Sequence, residues 1–437
     1  MLIADERRMT ILREAQAEYA PPRNTIPEPE YYESRLRSSW DRARRSAAYR
    51  GLPDFSMREF ENLPITTKGA LKAAPLDFTT VELGASHKYY ETTGTSGRPT
   101  PTPRLVEDVI WNVVSVAEAW RDVVEDGDRV AILLPSDLVP VGDLVVGVCE
   151  YLGVSHVRAY PFTTGIADWD RIAEMWRTFR PTVVFVAPGV AMHMTRLAKS
   201  RGELADLRSS TRVLMLLGEV STEPFRDRLG QWWGGEVHDA SYGSTETGTL
   251  AATCARSRLH LLPSAAYFEL SDGTSTTPAR GSGAGNLVVT PLRLHARPLL
   301  RVDTGDVVDL EVGCPCGSAV PIVQVHGRAA EEITVSGVAL AVRDVETIVF
   351  GSAPVTTYLV EVDETRDCAR LLLERDVDSD REQEPLLADR IRRHSQEHLG
   401  LEWDDVVFLN SLPAAAKSGA SQKSWKRSNV RFVGADR

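Results

Sequence analysis

The apolar positions along this chain follow two spacings in turn. RVAILLP (129–135), PTVVFVAP (181–188) and TRVLMLLG (211–218) are short apolar runs that stop at turn residues, and HVRAYPF (156–162) is a further run of strand length. Between them, DLVVGVCEYLGV (143–154), DWDRIAEMWRTFR (168–180) and VAMHMTRLAKSRG (190–202) carry helical spacing, the last ended by Gly202. Strand and helix alternating through short connections predict a parallel sheet under helices. Up to about residue 88 the chain is charged and reads as helical, with LPITTKGALKAAP (63–75) turning into a helix. After residue 282 the spacing shortens, and NLVVTPL (286–292), LLRVD (299–303) and DVVDLEV (306–312) read as antiparallel strands joined by turns.

From Glu331 onward a compact α+β pattern follows. It runs through ITVSGVAL (333–340), a helix from Val342, TTYLVEVD (356–363), ARLLLERD (369–376), a long helix near Glu382 to His398, and DDVVFLN (404–410). The predicted fold class is therefore α/β. A large N-terminal domain, residues 1–328, combines mixed and parallel sheets covered by helices with a small β unit. A small mobile α+β C-terminal domain, residues 329–437, follows it.

Composition narrows the partners. A chain of 437 residues suits two domains. Its formal charge of −11 argues against nucleic acid or an anionic membrane as the main partner. No run reaches eighteen apolar residues, and the first stretch, MLIADERRMTILREAQ, has no apolar core of signal-peptide length. Five cysteines do not make a disulfide framework in a chain this long, so a reducing cytoplasm is the expected compartment. A homodimer is the ordinary expectation for an oligomer.

Two clusters carry candidate chemistry. In ETTGTSGRPT (91–100), Thr92, Thr93, Gly94, Thr95, Ser96 and Gly97 bring hydroxyls and backbone N–H groups into one turn, and Arg98 adds positive charge. Such groups cradle phosphate oxygens, although the same composition also makes plain surface loops. The Gly-Lys-Ser/Thr ending of a Walker loop is missing. Further on, Cys254 and His260 are followed by Cys314 and Cys316 around Pro315. Three thiolates and one imidazole suit a closed structural zinc site; the alternative is three reduced cysteines beside an incidental histidine. Cys149 and Cys368 lie in apolar surroundings and read as core residues.

Five motifs in order then resemble the adenylate-forming superfamily, and within it the phenylacetate-CoA ligase branch. ETTGTSGRPT is similar to its Ser/Thr/Gly-rich phosphate loop, SYGSTETG (241–248) to its Tyr-Gly-x-Thr-Glu motif, and RPLLRVDTGDVV (297–308) to its Arg-Tyr-x-Thr-Gly-Asp motif. VHGRAAEEITVSGV (325–338) resembles the hinge motif, while LPITTKGAL and the stretch from Ala159 to Ala191 also look like this branch. The resemblance covers about residues 60–430. It implies an ATP-dependent enzyme of the acid-thiol ligase (AMP-forming) type. Such an enzyme joins a small carboxylic acid, in this branch an aromatic one, to AMP with release of pyrophosphate, and then passes the acyl group to CoA. A carrier-protein pantetheine or an amine is the alternative acceptor. A nucleotide-binding relative without turnover is a third reading.

The resemblance also assigns residues. Thr93, Gly94, Thr95, Ser96, Gly97 and Arg98 would hold the β- and γ-phosphates, with Arg98 in place of the usual Lys. Thr245 would meet the α-phosphate and Glu246 would hold Mg²⁺. Asp306 would accept from the ribose hydroxyls, and Arg328 would reach ribose or phosphate. Gly218 and Glu219 would lie along the adenine, with Ser241, Tyr242, Gly243 and Ser244 forming the rest of the nucleotide wall and Tyr242 stacking on the base. The catalytic lysine is assigned to Lys423, with Lys417 and Lys426 as the other candidates in that loop. In part of the branch Cys and His residues also follow the Tyr-Gly motif, and the zinc set Cys254, His260, Cys314 and Cys316 is similar to them. Three departures stand out: Ala240 where the branch has an adenine-reading polar residue, Ala329-Ala330 in the hinge, and Gln422 before Lys423. The acid pocket is expected near Val220, Ser241 and Tyr242, with Trp111 and the 137–143 stretch beside it.

Overall fold

The computed structural model describes residues 5–19, 25–92, 99–161, 163, 166–328, 333–363, 365–413 and 429–433. They form two compact units, each built from separated stretches of chain. The first holds Met1–Ala159 and Asp239–His326; the second holds Tyr160–His238 and Gly327–Arg437.

The first unit opens with helices Glu6–Tyr19, Pro29–Ala43, Met57–Asn62 and Lys68–Ala73. The expected turn into a helix at LPITTKGAL is made by Thr67, whose hydroxyl accepts from Ala70 N. The helix Pro29–Ala43 lays Leu36, Trp40 and Ala43 against Phe60, Tyr267, Leu299 and Leu300 to form one core. The hairpin Lys88–Glu91 with Pro101–Arg104 leads into Val106–Trp120. That helix is missing from the sequence reading. It is buried on most of its circumference, from Ile110 through Trp120, so no amphipathic stripe marks it. Arg129–Leu133 and Ser155–Arg158 are strands as expected, and they pair in parallel.

The remainder of this unit is an eight-stranded sheet. It begins at Ser241, well before the expected residue 282, because its early strands Ser241–Ser244, Gly248–Thr253, Leu259–Leu261 and Ala266–Ser271 are short and only partly alternating. Gly283–Pro291 and Val302–Glu311 run antiparallel. The two strands expected at 299–303 and 306–312 are in fact one strand, Val302–Glu311. Leu299 and Leu300 are fully buried in the helical core instead, and Arg301, at φ 47°, breaks the extended run ahead of Val302.

The second unit contains the parallel pair Val183–Val186 and Val213–Leu216, every residue of which is buried. Their fully apolar sequence is what a strand covered on both faces requires. Helices Trp169–Phe179, Pro188–Ser200 and Glu223–Trp233 accompany them, and Trp176 packs on Trp233. The C-terminal part is a four-stranded mixed sheet. Val355–Asp363 lies between Cys368–Arg375, which runs antiparallel to it, and Val430–Val433, which runs parallel. Helices Val342–Ser352 and Glu384–Leu399 fall where the apolar spacing placed them. Within this unit the helix Val342–Ser352 docks on Glu223–Trp233 through Phe350 and Phe225, and the buried Glu346 carboxylate accepts from Thr222 N at 3.0 Å. Cys149 is buried as expected, whereas Cys368, at the start of its strand, is half-buried. Among the described residues no helix is long and apolar enough to cross a membrane.

Candidate functional site

The predicted phosphate loop joins the two strands of the 88–104 hairpin. At its mouth Thr92 N donates to Thr100 O at 3.2 Å, and Thr100 N donates to Thr92 Oγ1 at 3.0 Å. Thr93, Gly94, Thr95, Ser96, Gly97 and Arg98 lie outside the described residues. So do Ala329, Ala330, Lys417, Lys423 and Lys426, and the side chain of Arg328, whose backbone closes the strand Ile322–Arg328.

Past the hairpin, Arg104 reaches the second motif. It is 7% exposed, and its Nη2 donates to the carbonyls of Thr245 and Glu246 at 2.7 and 3.0 Å. The turn that carries Thr245 and Glu246, the residues expected at phosphate and magnesium, is therefore clasped through its backbone, and the Glu246 carboxylate is not consumed in holding it. Ser244 accepts from Thr247 N at 3.2 Å and closes the same turn. The bulge between Tyr242 and Gly243 redirects the strand, and Gly243 lies against its partner so closely that a Cβ would stand 2.3 Å from Gly248 O. No side chain fits at Gly243, which accounts for the glycine after the motif tyrosine.

Tyr242 and Asp306 are 64 positions apart in sequence. The structure joins them: Tyr242 Oη donates to Asp306 Oδ2 at 2.7 Å. That bond engages one carboxylate oxygen and helps to fix its plane, and a carboxylate so held is suited to accept from a diol. In the same motif Arg301 has a structural role. It meets both oxygens of Glu269, at 3.2 and 3.0 Å, and also donates to Leu63 O and Thr276 Oγ1.

Ala240 does not stand in for the missing adenine reader. It is fully buried, and its carbonyl accepts from Trp120 Nε1 at 2.9 Å and from Thr253 N at 3.0 Å. Trp111, expected near the acid pocket, packs among side chains of the first unit. It is buried at 5% exposure, with Tyr19 edge-on at 5.6 Å and the Arg293 guanidinium 3.8 Å over its ring. In the second unit Gly218 has φ 94°, a conformation open to glycine, at the turn after Val213–Leu216. Glu219 follows it and accepts from Gly189 N at 3.3 Å.

Cys254, His260, Cys314 and Cys316 converge, with one ligand atom of each within 4.8 Å of the others. Sγ of Cys254 and Cys314 are 3.9 Å apart, and Cys316 Sγ is 3.4 Å from His260 Nε2. Ligands at zinc bonding distance stand roughly 3.8 Å apart along a tetrahedron edge, so the set has the right size. It is far too wide for a disulfide, and all five thiols are free. His260 Nδ1 lies 2.8 Å from the Val320 carbonyl. That places the ring hydrogen on Nδ1 and leaves the Nε2 lone pair facing the thiols.

Comparison with known proteins agrees with the motifs. The AMP-binding enzyme family matches residues 90–276. A phenylacetate-coenzyme A ligase of Thermus thermophilus is 26% identical over 345 residues, 75% of this chain and 73% of that protein. Among solved structures, a 2-hydroxyisobutyryl-CoA ligase in its postadenylation state superposes with a TM-score of 0.73 at 18% identity, covering all of this chain and 91% of that one. An amide bond synthetase of Marinactinospora thermotolerans superposes with a TM-score of 0.50 at 21% identity, covering 74% of this chain and 65% of that one. At such identities the structural likenesses speak for the fold. With the ordered motifs, the sequence relative and the Tyr242–Asp306 junction in place, the chain is similar to the adenylate-forming superfamily and, within it, to the phenylacetate-CoA ligase branch.

Proposed function

We propose that this protein is an AMP-forming acid–thiol ligase that activates a small, aromatic carboxylic acid. A carboxylate oxygen attacks the α-phosphorus of ATP, the bond from that phosphorus to the bridging oxygen breaks, and pyrophosphate leaves with the electron pair. The CoA sulfur then attacks the acyl carbon of the adenylate, losing its proton, and AMP departs. The observation that carries this reading is the Tyr242–Asp306 bond at 2.7 Å, which supports a fixed ribose ligand beside the clasped Thr245–Glu246 turn. In this scheme Glu246 would hold Mg²⁺, which would supply positive charge to the polyphosphate, and Thr245 would meet the α-phosphate. Lys423 comes from the 329–437 domain to complete adenylation, with Arg328 at the hinge. The aromatic substrate and the CoA acceptor rest on likeness to the Thermus ligase.

ATP–pyrophosphate exchange across aryl, heteroaryl, amino and fatty acids, with no acceptor present, tests the first half-reaction. Exchange with an aryl acid is expected. Protein that binds MgATP yet exchanges with no acid would overturn the proposal.

The four-residue Cys/His set holds structural zinc in this reading. Four protein ligands leave no open position for catalysis, and the set ties the Gly248–Leu261 hairpin to the 314–317 turn. Purified protein should contain about one equivalent of zinc, and Cys314→Ser should lose it along with several degrees of Tm. Less than about a tenth of an equivalent would remove the zinc assignment.

A further inference from the structure

Two arginines of the first unit are buried in an unusual way. Arg297 has no exposed surface, and its Nη1 donates to Pro101 O at 2.8 Å, yet its Nε and Nη2 have no hydrogen-bond partner among the described residues. Arg104 spends its Nη2 on the Thr245 and Glu246 carbonyls, and its Nη1 likewise has no such partner. Both are tied to one strand, Pro101–Arg104, which leaves the predicted phosphate loop: Arg297 holds its first residue and Arg104 is its last.

Elsewhere in this unit the buried Arg301 and the half-buried Arg42 and Arg293 direct terminal nitrogens at acceptors. Arg301 closes a two-pronged pair with Glu269, Arg42 gives an Nη to Leu292 O, and Arg293 gives an Nη to Glu18. In Arg42 and Arg293 the buried atom without a partner is Nε alone, and Nη2 is bonded. In Arg297 the Nε–Nη2 edge is free as a whole, and that edge presents two parallel N–H groups to one oxyanion. Burial lowers the Arg297 guanidinium to about 10; Arg104 pulls it the same way, while Glu246 and Tyr49 oppose them. It therefore stays charged at neutral pH. Unpaired N–H groups on two like charges weaken a fold, and a chain keeps such a feature where a ligand relieves it.

We infer that Arg104 and Arg297 form a buried cationic floor beneath the Thr245–Glu246 turn, and that the free Nε–Nη2 fork of Arg297 takes polyphosphate oxygens of ATP and of departing pyrophosphate. This rests on the adenylation reading above. When the bridging P–O bond breaks, negative charge grows on the leaving pyrophosphate, and a fixed guanidinium fork stabilises it without reorganising. Arg104 is the positioning partner, since it holds the turn and adds its charge from behind.

The experiment compares Arg297→Met, near in volume and uncharged, with the parent. It measures Tm without ligand, the Tm shift given by magnesium pyrophosphate and by MgATP, and Kd for each from titration. The inference expects an unliganded Tm at or above that of the parent, together with pyrophosphate binding weakened about tenfold or more. An unliganded Tm several degrees lower with pyrophosphate affinity unchanged would make Arg297 a structural cation filled by buried water, and would overturn the inference. Arg297→Lys covers the case in which Arg297→Met does not fold. Lysine keeps the charge and loses the fork, so weaker pyrophosphate binding at unchanged Tm supports the site, and unchanged affinity overturns it. A parent protein that binds neither MgATP nor pyrophosphate would overturn the adenylation reading itself, which the variants alone cannot do.

Discussion

Tyr242 and Asp306 each match a motif, and their meaning comes from the bond between them. Removing the phenol hydroxyl leaves the ring in place but takes this bond away from the carboxylate. A hydrogen bond to a charged acceptor contributes about 1.5 kcal/mol or more, which is roughly tenfold in an equilibrium constant. Tyr242→Phe should therefore raise the KM for ATP in pyrophosphate exchange by about tenfold while kcat stays nearly constant, because ribose binding is common to ground and transition states. An unchanged KM would show that Asp306 does not depend on its neighbour. The residue types were legible in the sequence because the motifs are local. The pairing was not, since nothing local links positions 242 and 306. Arg301 carries the same lesson: it lies within a nucleotide motif, yet its two-pronged partner Glu269 makes it a structural anchor.

At the scale of elements, legibility followed burial. Strands covered on both faces, such as Val183–Val186, appear as unbroken apolar runs, and amphipathic helices such as Trp169–Phe179 appear as stripes. The helix Val106–Trp120 and the short strands after Ser241 gave neither signal, and the run at 299–303 passed for a strand because two core leucines sit beside Arg301. Side-chain pairs between elements were also out of reach. Lys199, on the helix Pro188–Ser200, meets Asp376 at the end of the strand Cys368–Arg375 and Asp378 at 2.8 Å, and only 8% and 7% of the Lys199 and Asp376 side chains are exposed. Removing one member of a buried pair leaves the other charge without compensation. Lys199→Met should cost about 3 kcal/mol in urea unfolding, and Lys199→Met with Asp376→Leu should recover most of it. A double-variant loss equal to the sum of the losses of Lys199→Met and Asp376→Leu would mean that the pair is not coupled.

For the whole molecule, acid has two opposed effects. The formal charge of −11 falls as protons are added, which relieves self-repulsion. Against this stands His295, pushed down to about 3 first by burial and then by Arg42, Arg293, Arg7 and Arg45. An unfolded histidine titrates near 6.5, so between about 6.5 and 3 the unfolded chain binds a proton that the folded one refuses. Stability therefore falls as pH falls through that window, by up to about 1.4 kcal/mol per unit for one such group. His193, lowered by burial and then by Arg196, acts in the same direction. Asp108 opposes both. Its carboxyl accepts from the backbone N–H groups of Leu105, His295 and Ala296, and burial raises it above the usual carboxylate range, so its stabilising contribution is greatest in acid and fades as pH rises. A single acid titration of the parent sums these terms, and only a difference between proteins separates them. His295→Gln removes one titrating ring and keeps the backbone N–H that Asp108 accepts. The urea midpoint of the parent should drop between pH 7 and pH 4.5 by clearly more than that of the variant, with the two converging near neutrality once the constant cost of the substitution is subtracted. Parallel curves would mean that His295 is protonated in the folded chain and that the surrounding arginines do not hold it neutral.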